Sequence, residues 1–129
     1  MAIVSIGSDL CQISRIEDVL ERRGEGFCAR IYSDSERAYC DARPRSRGNH
    51  YAGRFAVKEA VMKALGTGWR SGVRWVDIET TREPGQAPMI ELHGRTKELA
   101  AERGISRWHL TITHDAGLAL AFVVAESDG

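Results

Sequence analysis

Between Arg54 and Gly68 the chain reads Arg-Phe-Ala-Val-Lys-Glu-Ala-Val-Met-Lys-Ala-Leu-Gly-Thr-Gly. Up to Leu65 this stretch is dense in good helix formers, and Gly66 is the residue type that closes a helix in the left-handed conformation. On a helical wheel Phe55, Val57, Val61, Met62, Ala64 and Leu65 cover an arc far wider than a surface helix needs. That predicts a largely buried helix around which the remaining elements must pack. Arg54 and Lys58 fall inside the apolar arc, and Glu59 and Lys63 sit beside it, one turn apart. Charges on a buried helix need partners. Spacing alone favours an i, i+4 ion pair between Glu59 and Lys63, worth about 0.3–0.5 kcal/mol. The other reading is that an anionic ligand and a cation, neither encoded in the chain, complete a site there.

A length of 129 residues argues for one domain, spanning 1–129, with a core of ordinary size. Hydrophobic residues at 43% and charged residues at 28% give a globular balance rather than a disordered one. Lys+Arg and Asp+Glu number 18 each, so the chain as a whole offers no electrostatic footprint for nucleic acid. No apolar run approaches the ~20 residues of a membrane span, and residues 1–7 lack a charged segment followed by a long apolar one. Those features point to the cytoplasm. Cys11, Cys28 and Cys40 have no Cys-x-x-Cys spacing, so they read as small buried hydrophobes rather than a disulfide framework or a zinc site.

Taken in order, residues 2–7 form an apolar, partly β-branched run that predicts a strand. Gly7-Ser8-Asp9 is expected to turn the chain and leave Asp9 just past the strand end, where it either satisfies turn amides or presents a functional carboxylate. Ser14 and Glu17 have the spacing of a capping box, and Gly24 is expected to close the helix that follows. On that helix Arg15, Val19, Arg22 and Arg23 share one face, while Glu17, Asp18 and Glu21 share another. The arrangement is either a solvated helix with scattered charges or a basic strip suited to an acidic partner helix, and Phe27 and Arg30 extend the strip. Ser33 and Glu36 repeat the capping-box spacing and predict a short helix to about residue 42. Residues 43–48 form a basic loop, and the buried helix is expected from about His50.

Residues 75–80, 89–93, 108–113 and 118–125 read as strands, the last one central because it is apolar nearly throughout. Residues 95–103 form an amphipathic helix closed by Gly104. His114-Asp115-Ala116-Gly117 predicts a hairpin turn between the last two strands. The class is therefore α+β, a mostly antiparallel sheet packed against a long central helix. His50, His93, His109 and His114 form no metal-ligand spacing, and His114 alone stands out, at a tight turn by a strand end.

Four blocks together resemble the holo-(acyl-carrier-protein) synthase family, the short 4′-phosphopantetheinyl transferases. They are Ile6-Gly7-Ser8-Asp9-Leu10 with Arg15-Ile16; Arg54-Phe55-Ala56-Val57-Lys58-Glu59-Ala60 through Lys63-Ala64-Leu65-Gly66-Thr67-Gly68; Asp77-Ile78-Glu79 after Trp75; and His109-Leu110-Thr111-Ile112-Thr113-His114-Asp115 followed by Ala121-Phe122-Val123-Val124. Any one block is a weak signal; the set at this spacing is specific and covers essentially the whole chain. Ser5, Trp69 and Thr113 depart from the family pattern, and none of them removes a charged group.

The resemblance implies the 4′-phosphopantetheinyl transferase-like fold. The implied reaction transfers 4′-phosphopantetheine from coenzyme A to a serine of apo acyl carrier protein, in support of fatty acid biosynthesis. Asp9 and Glu59 match the family's magnesium ligands, a role suited to a cation that takes one or two carboxylates and completes its octahedron with water and phosphate oxygens. Lys63 would hold phosphate oxygens as a point charge, and Glu59, directly or through a metal-bound water, would serve as the base. Gly66 and Thr67 would let backbone approach the nucleotide, and Arg54 and His114 would contact coenzyme A phosphates. Acidic carrier protein would dock on Arg15, Arg22, Arg30 and Phe27, with Arg23 on the same face by the wheel. The family is a homotrimer with sites between subunits. A rival reading is a non-catalytic coenzyme A or nucleotide-binding module of the same fold. A purely structural, oligomer-forming domain would leave the charges of the central helix unexplained.

Overall fold

The computed structural model describes residues 1–68 and 70–128. The elements run β1 (Ala2–Gln12), α1 (Ile13–Ile31), α2 (Asp34–Asp41), α3 (Arg47–Leu65), β2 (Ile78–Thr81) and β3 (Met89–Leu92). They continue with α4 (Gly94–Glu102), β4 (Arg107–Asp115) and β5 (Leu118–Ser127), and 3-10 turns span Pro44–Ser46 and Trp75–Asp77. One antiparallel sheet has the order β1-β5-β4, and β2 and β3 form a separate antiparallel pair. The class is the expected α+β, with β5 in the centre. Trp69, one of the departures from the family pattern, lies outside the described residues. Among the described residues no helix is long and apolar enough to cross a membrane.

The sheet lies on α3, and small residues set how close it comes. The inward side chains of β5 are Ala119, Ala121, Val123 and Ala125, all fully buried, and they meet a helix whose buried set includes Ala52, Ala56 and Ala60. Gly7 makes the tightest approach: a Cβ there would stand 2.0 Å from the Ala60 carbonyl oxygen. Ser5, one inward position back along β1, donates from Oγ to the Ala64 carbonyl at 2.7 Å, satisfying one of the orphan acceptors of the last turn of α3. The pairing of β1 with β5 shifts register between Ile3 and Ser5, a bulge that re-aims the strand at that point.

Three expectations are corrected. Asp9 is not in a turn: β1 continues through it to Gln12, with Asp9 opposite Ala121, because β5 is long enough to pair along the whole of β1. There is no capping box at Ser14, since α1 starts at Ile13 with Gln12 as its N-cap and no side-chain cap bond. Gly24 does not end the helix either. The backbone leaves helical geometry at Arg23 (φ −136°, ψ 23°) and then resumes to Ile31, held by the buried Cys28 and Ile31 on the inner face.

Other local chemistry appears as read, apart from the start of β2. Ser33 caps α2 and Glu36 completes the box. Gly66 caps α3 at φ 76°, and Ala116 and Gly117, both at positive φ, turn β4 into β5. Residues 75–77 form a 3-10 turn before β2 rather than the start of a strand. All three cysteines are buried and free.

The capping carboxylate of α2 does a second job. Lys58 of α3 is fully buried and donates from Nζ to Glu36 Oε1 at 2.8 Å, to the Trp75 carbonyl at 3.0 Å and to the Ile78 carbonyl. Glu36, also fully buried, accepts from the Thr80 amide through Oε2 at 3.0 Å. Burial pulls the Lys58 amine below its ordinary range, and the Glu36 charge opposes that. One buried ion pair thus ties together α2, α3 and the start of β2.

Candidate active site

Side chains of β1 alternate, with Ser5, Gly7, Asp9 and Cys11 turned toward the helix layer. Because Gly7 lets β1 lie on the backbone of α3, Asp9 arrives beside the next turns of that helix. There Lys63 Nζ donates to Asp9 Oδ1 at 3.1 Å and to the Ser8 carbonyl at 3.0 Å. The i, i+4 pair expected between Glu59 and Lys63 does not form: Lys63 reaches across to β1, 54 residues away in sequence. Among the described residues the Glu59 carboxylate accepts no hydrogen bond and has no ion-pair partner. Burial, and then the neighbouring Asp9 charge, push its carboxyl above the ordinary range, against the pull of Lys63. Cys11, close by, has its thiol pushed up to about 11, by burial first and Asp9 second, so it stays protonated and inert at neutral pH.

Asp9 and Glu59 open into a cavity of about 500 Å³ whose other walls include Arg15, Arg22, Phe27 and Phe55. A neighbouring cavity of about 630 Å³ shares Arg22 and Phe27 and adds Arg23 and Arg30. Of the five candidate docking residues of α1, Arg15, Arg22 and Phe27 line the carboxylate cavity itself, and Arg23 and Arg30 line the neighbouring one that shares Arg22 and Phe27 with it. Phe27 stands 6.4 Å from Phe55, which stacks on Trp75 at 5.2 Å and 15°.

Arg54 and His114 lie elsewhere. They line a third cavity of about 330 Å³, with His50 and Arg82, that shares no residue with the first two. Every ionisable side chain lining it is basic. Arg54 is only 4% exposed, its guanidinium sits 4.1 Å from the Tyr39 ring centre, and its Nε is buried without a partner among the described residues. Arg43 approaches the same ring at 3.6 Å. His114 Nε2 is 3.0 Å from the Asn49 carbonyl, so that nitrogen is the N–H donor. Burial, then the charges of Arg54 and Arg43, hold the His50 imidazole below its ordinary range. Gly66 and Thr67 cap α3 and line none of these cavities.

His50, Arg82, Phe55 and Trp75 were not singled out from the sequence. His50 and Phe55 share α3, Trp75 lies in the 3-10 turn before β2 and Arg82 follows β2, so no single linear spacing connects the four. Glu79, Glu91 and His93 also converge, with one ligand-type atom each within 4.8 Å of the others. Glu79 already accepts from Ser33 at 2.6 Å, from Ser35, and from His93 at 3.0 Å. This cluster shares no residue with the Asp9–Glu59 cavity.

The site thus combines a carboxylate pair with an adjacent lysine, arginines of α1 beside it, and a separate cavity whose ionisable groups are all basic, groups whose chemistry suits phosphorylated, anionic ligands. A family model, that of the 4′-phosphopantetheinyl transferase superfamily, matches residues 5–123. A holo-(acyl-carrier-protein) synthase of Anaeromyxobacter sp. (strain K) is 47% identical, with 98% of each chain covered. The crystal structure of the holo-(acyl-carrier-protein) synthase from Neisseria meningitidis superposes with a TM-score of 0.88 at 32% identity, covering 98% of this chain and 100% of that one. That of Helicobacter pylori, in complex with coenzyme A, gives 0.81 at 36% identity, over 94% and 99% of the chains. The chain belongs to the holo-(acyl-carrier-protein) synthase family of the 4′-phosphopantetheinyl transferase superfamily.

Proposed function

We propose that the protein transfers the 4′-phosphopantetheine group of coenzyme A to a serine of apo acyl carrier protein, in support of fatty acid biosynthesis. The observation that carries this reading is the meeting of Asp9 on β1 with Glu59 on α3, in a cavity that α1 lines with Arg15, Asp18 and Arg22. The coenzyme A bound to the Helicobacter pylori relative supports the donor.

In this reaction the serine hydroxyl oxygen attacks the pantetheine-side phosphorus of the pyrophosphate. The bond from that phosphorus to the bridging oxygen breaks, and adenosine 3′,5′-bisphosphate leaves. Little covalent work falls to the protein beyond positioning and charge. Glu59 takes the hydroxyl proton, a task helped by burial that raises its affinity for protons. Lys63 has three N–H donors and places two on Asp9 and Ser8, which leaves one for a phosphate oxygen. Arg54, His114 and the basic cavity around them take the remaining phosphate of the donor.

Asp9 and Glu59 fit magnesium: two neighbouring carboxylates, one without a partner among the described residues, are the hard oxygen donors that ion uses alongside water and phosphate. When bound, it neutralises charge on the pyrophosphate oxygens.

The protein acts as a homotrimer. The outward face of the sheet exposes Ile6, Leu10, Leu120 and Phe122, at 58%, 60%, 40% and 39%, an apolar patch of the kind covered by another chain. The absence of any shared residue between the carboxylate cavity and the Arg54 cavity favours sites completed across subunits. The cytoplasm is the compartment that fits, since all three thiols are unpaired. Chromatographic detection of adenosine 3′,5′-bisphosphate tests the reaction. It should form only when coenzyme A and apo carrier protein are both present; coenzyme A bound without this product would mark a non-catalytic module.

A further inference from the structure

The loop after α3 carries an arginine that the basic face of α1 does not include. Ala29 and Arg30, at the end of α1, and residues Val73, Arg74, Trp75 and Val76 enclose a cavity of about 460 Å³. Its walls are mainly apolar, and its charged groups are two exposed arginines, Arg30 and Arg74, with no carboxylate in the lining. Among the described residues neither arginine forms an ion pair or a side-chain hydrogen bond.

The loop is held in place from inside. The buried Lys58 holds the Trp75 carbonyl at 3.0 Å, the Asp77 amide donates to the Arg74 carbonyl at 3.1 Å, and the Trp75 ring stacks on Phe55. Arg30 also lines the cavity that adjoins the carboxylate cavity, so exposed arginines run from the mouth of the Asp9–Glu59 site to Arg74. Unneutralised arginines beside an apolar wall attract an acidic surface that also offers an apolar side chain. A small phosphorylated ligand fits this place less well: among the described residues its lining holds no buried cation, whereas the basic cavity is lined by the buried Arg54.

We propose that Arg74, with Arg30 and the wall formed by Trp75 and Val76, is a second anchor for the carrier protein. It takes an acidic side chain next to an apolar one from an acidic amphipathic helix. This inference rests on the carrier-protein reading above and enlarges the docking surface from one helix to a helix and a loop.

The test uses the full chain and the variants Arg74→Glu and Arg74→Lys. Steady-state transfer is measured at low and moderate salt, and binding of labelled apo acyl carrier protein is followed by fluorescence anisotropy without coenzyme A. For Arg74→Glu the expected result is a rise of about tenfold in KM and Kd for carrier protein, with kcat and the KM for coenzyme A unchanged and a shallower salt dependence. Arg74→Lys, which keeps the charge, should stay within about twofold of wild type. An unchanged carrier KM and Kd in Arg74→Glu, or an equal rise in the KM for coenzyme A, would overturn the anchor. Wild-type protein that binds carrier through Arg74 but transfers nothing would keep the anchor and remove the transferase reading. Wild-type protein that binds no carrier would remove both.

Discussion

Gly7 of β1 lies so close to Ala60 of α3 that a methyl group on its Cα would stand 2.0 Å from the Ala60 carbonyl oxygen. The obstacle is helix backbone, which cannot rotate away as a flexible side chain would. Gly7→Ala therefore forces β1 off the helix, at a cost of about 3 kcal/mol, and draws Asp9 away from Lys63. A urea-denaturation midpoint equal to wild type would show that the strand is not seated as described.

Lys58 and Glu36 form a buried pair, both fully enclosed. Removing one partner leaves a charge without compensation, so Lys58→Met should cost about 3–5 kcal/mol in chemical denaturation. Replacing both residues with apolar ones should recover part of that, short of full recovery because the Ser33 and Thr80 amides also lose their acceptor. A loss below about 1 kcal/mol for Lys58→Met would contradict the pair's role in joining α2, α3 and β2.

How much of this could be read in advance depended on sequence distance. The Ser33–Glu36 cap, the Gly66 stop and the Ala116-Gly117 turn are set by neighbours within four residues, and all appear. The extension of β1 through Asp9 depends on β5, more than a hundred residues later. The continuation of α1 past Gly24 depends on Cys28 and Ile31 finding the core. Lys58 was legible as a buried charge needing a partner, but Glu36 lies 22 residues away and has no periodic relation to it. The candidate ligands Asp9 and Glu59 came from resemblance; that Lys63 pairs with Asp9 rather than Glu59 came from the fold.

Glu79 supplies a pH dependence. Burial pushes its carboxyl up, but hydrogen bonds from Ser33, Ser35 and His93 outweigh that and hold it below the ordinary 4.5. A carboxylate depressed in the folded state contributes stability that is present above its unfolded pKa and lost as pH falls through the folded value. Glu79→Gln should therefore be less stable than wild type near pH 7, and the gap should close as pH drops below about 4.5. Thermal melts across that range check this; a gap constant with pH would be inconsistent with the shift.

The exposed apolar patch on the sheet predicts assembly. Wild-type protein should scatter light as a particle about three times 14.3 kDa, and Phe122→Glu, at the centre of the patch, should fall toward the single-chain mass. Wild type running as a single chain at micromolar concentration would remove the trimer from the account.

Phosphopantetheine transfer in the Asp9–Glu59 cavity is the activity on which everything above depends. It is read out by intact-mass spectrometry of apo acyl carrier protein incubated with this protein, coenzyme A and magnesium. The predicted result is a gain of one phosphopantetheine per carrier, abolished by EDTA and slowed at least ~100-fold by Glu59→Gln, which should still fold. No mass gain on several carrier proteins, or full-rate transfer by Glu59→Gln, would contradict it.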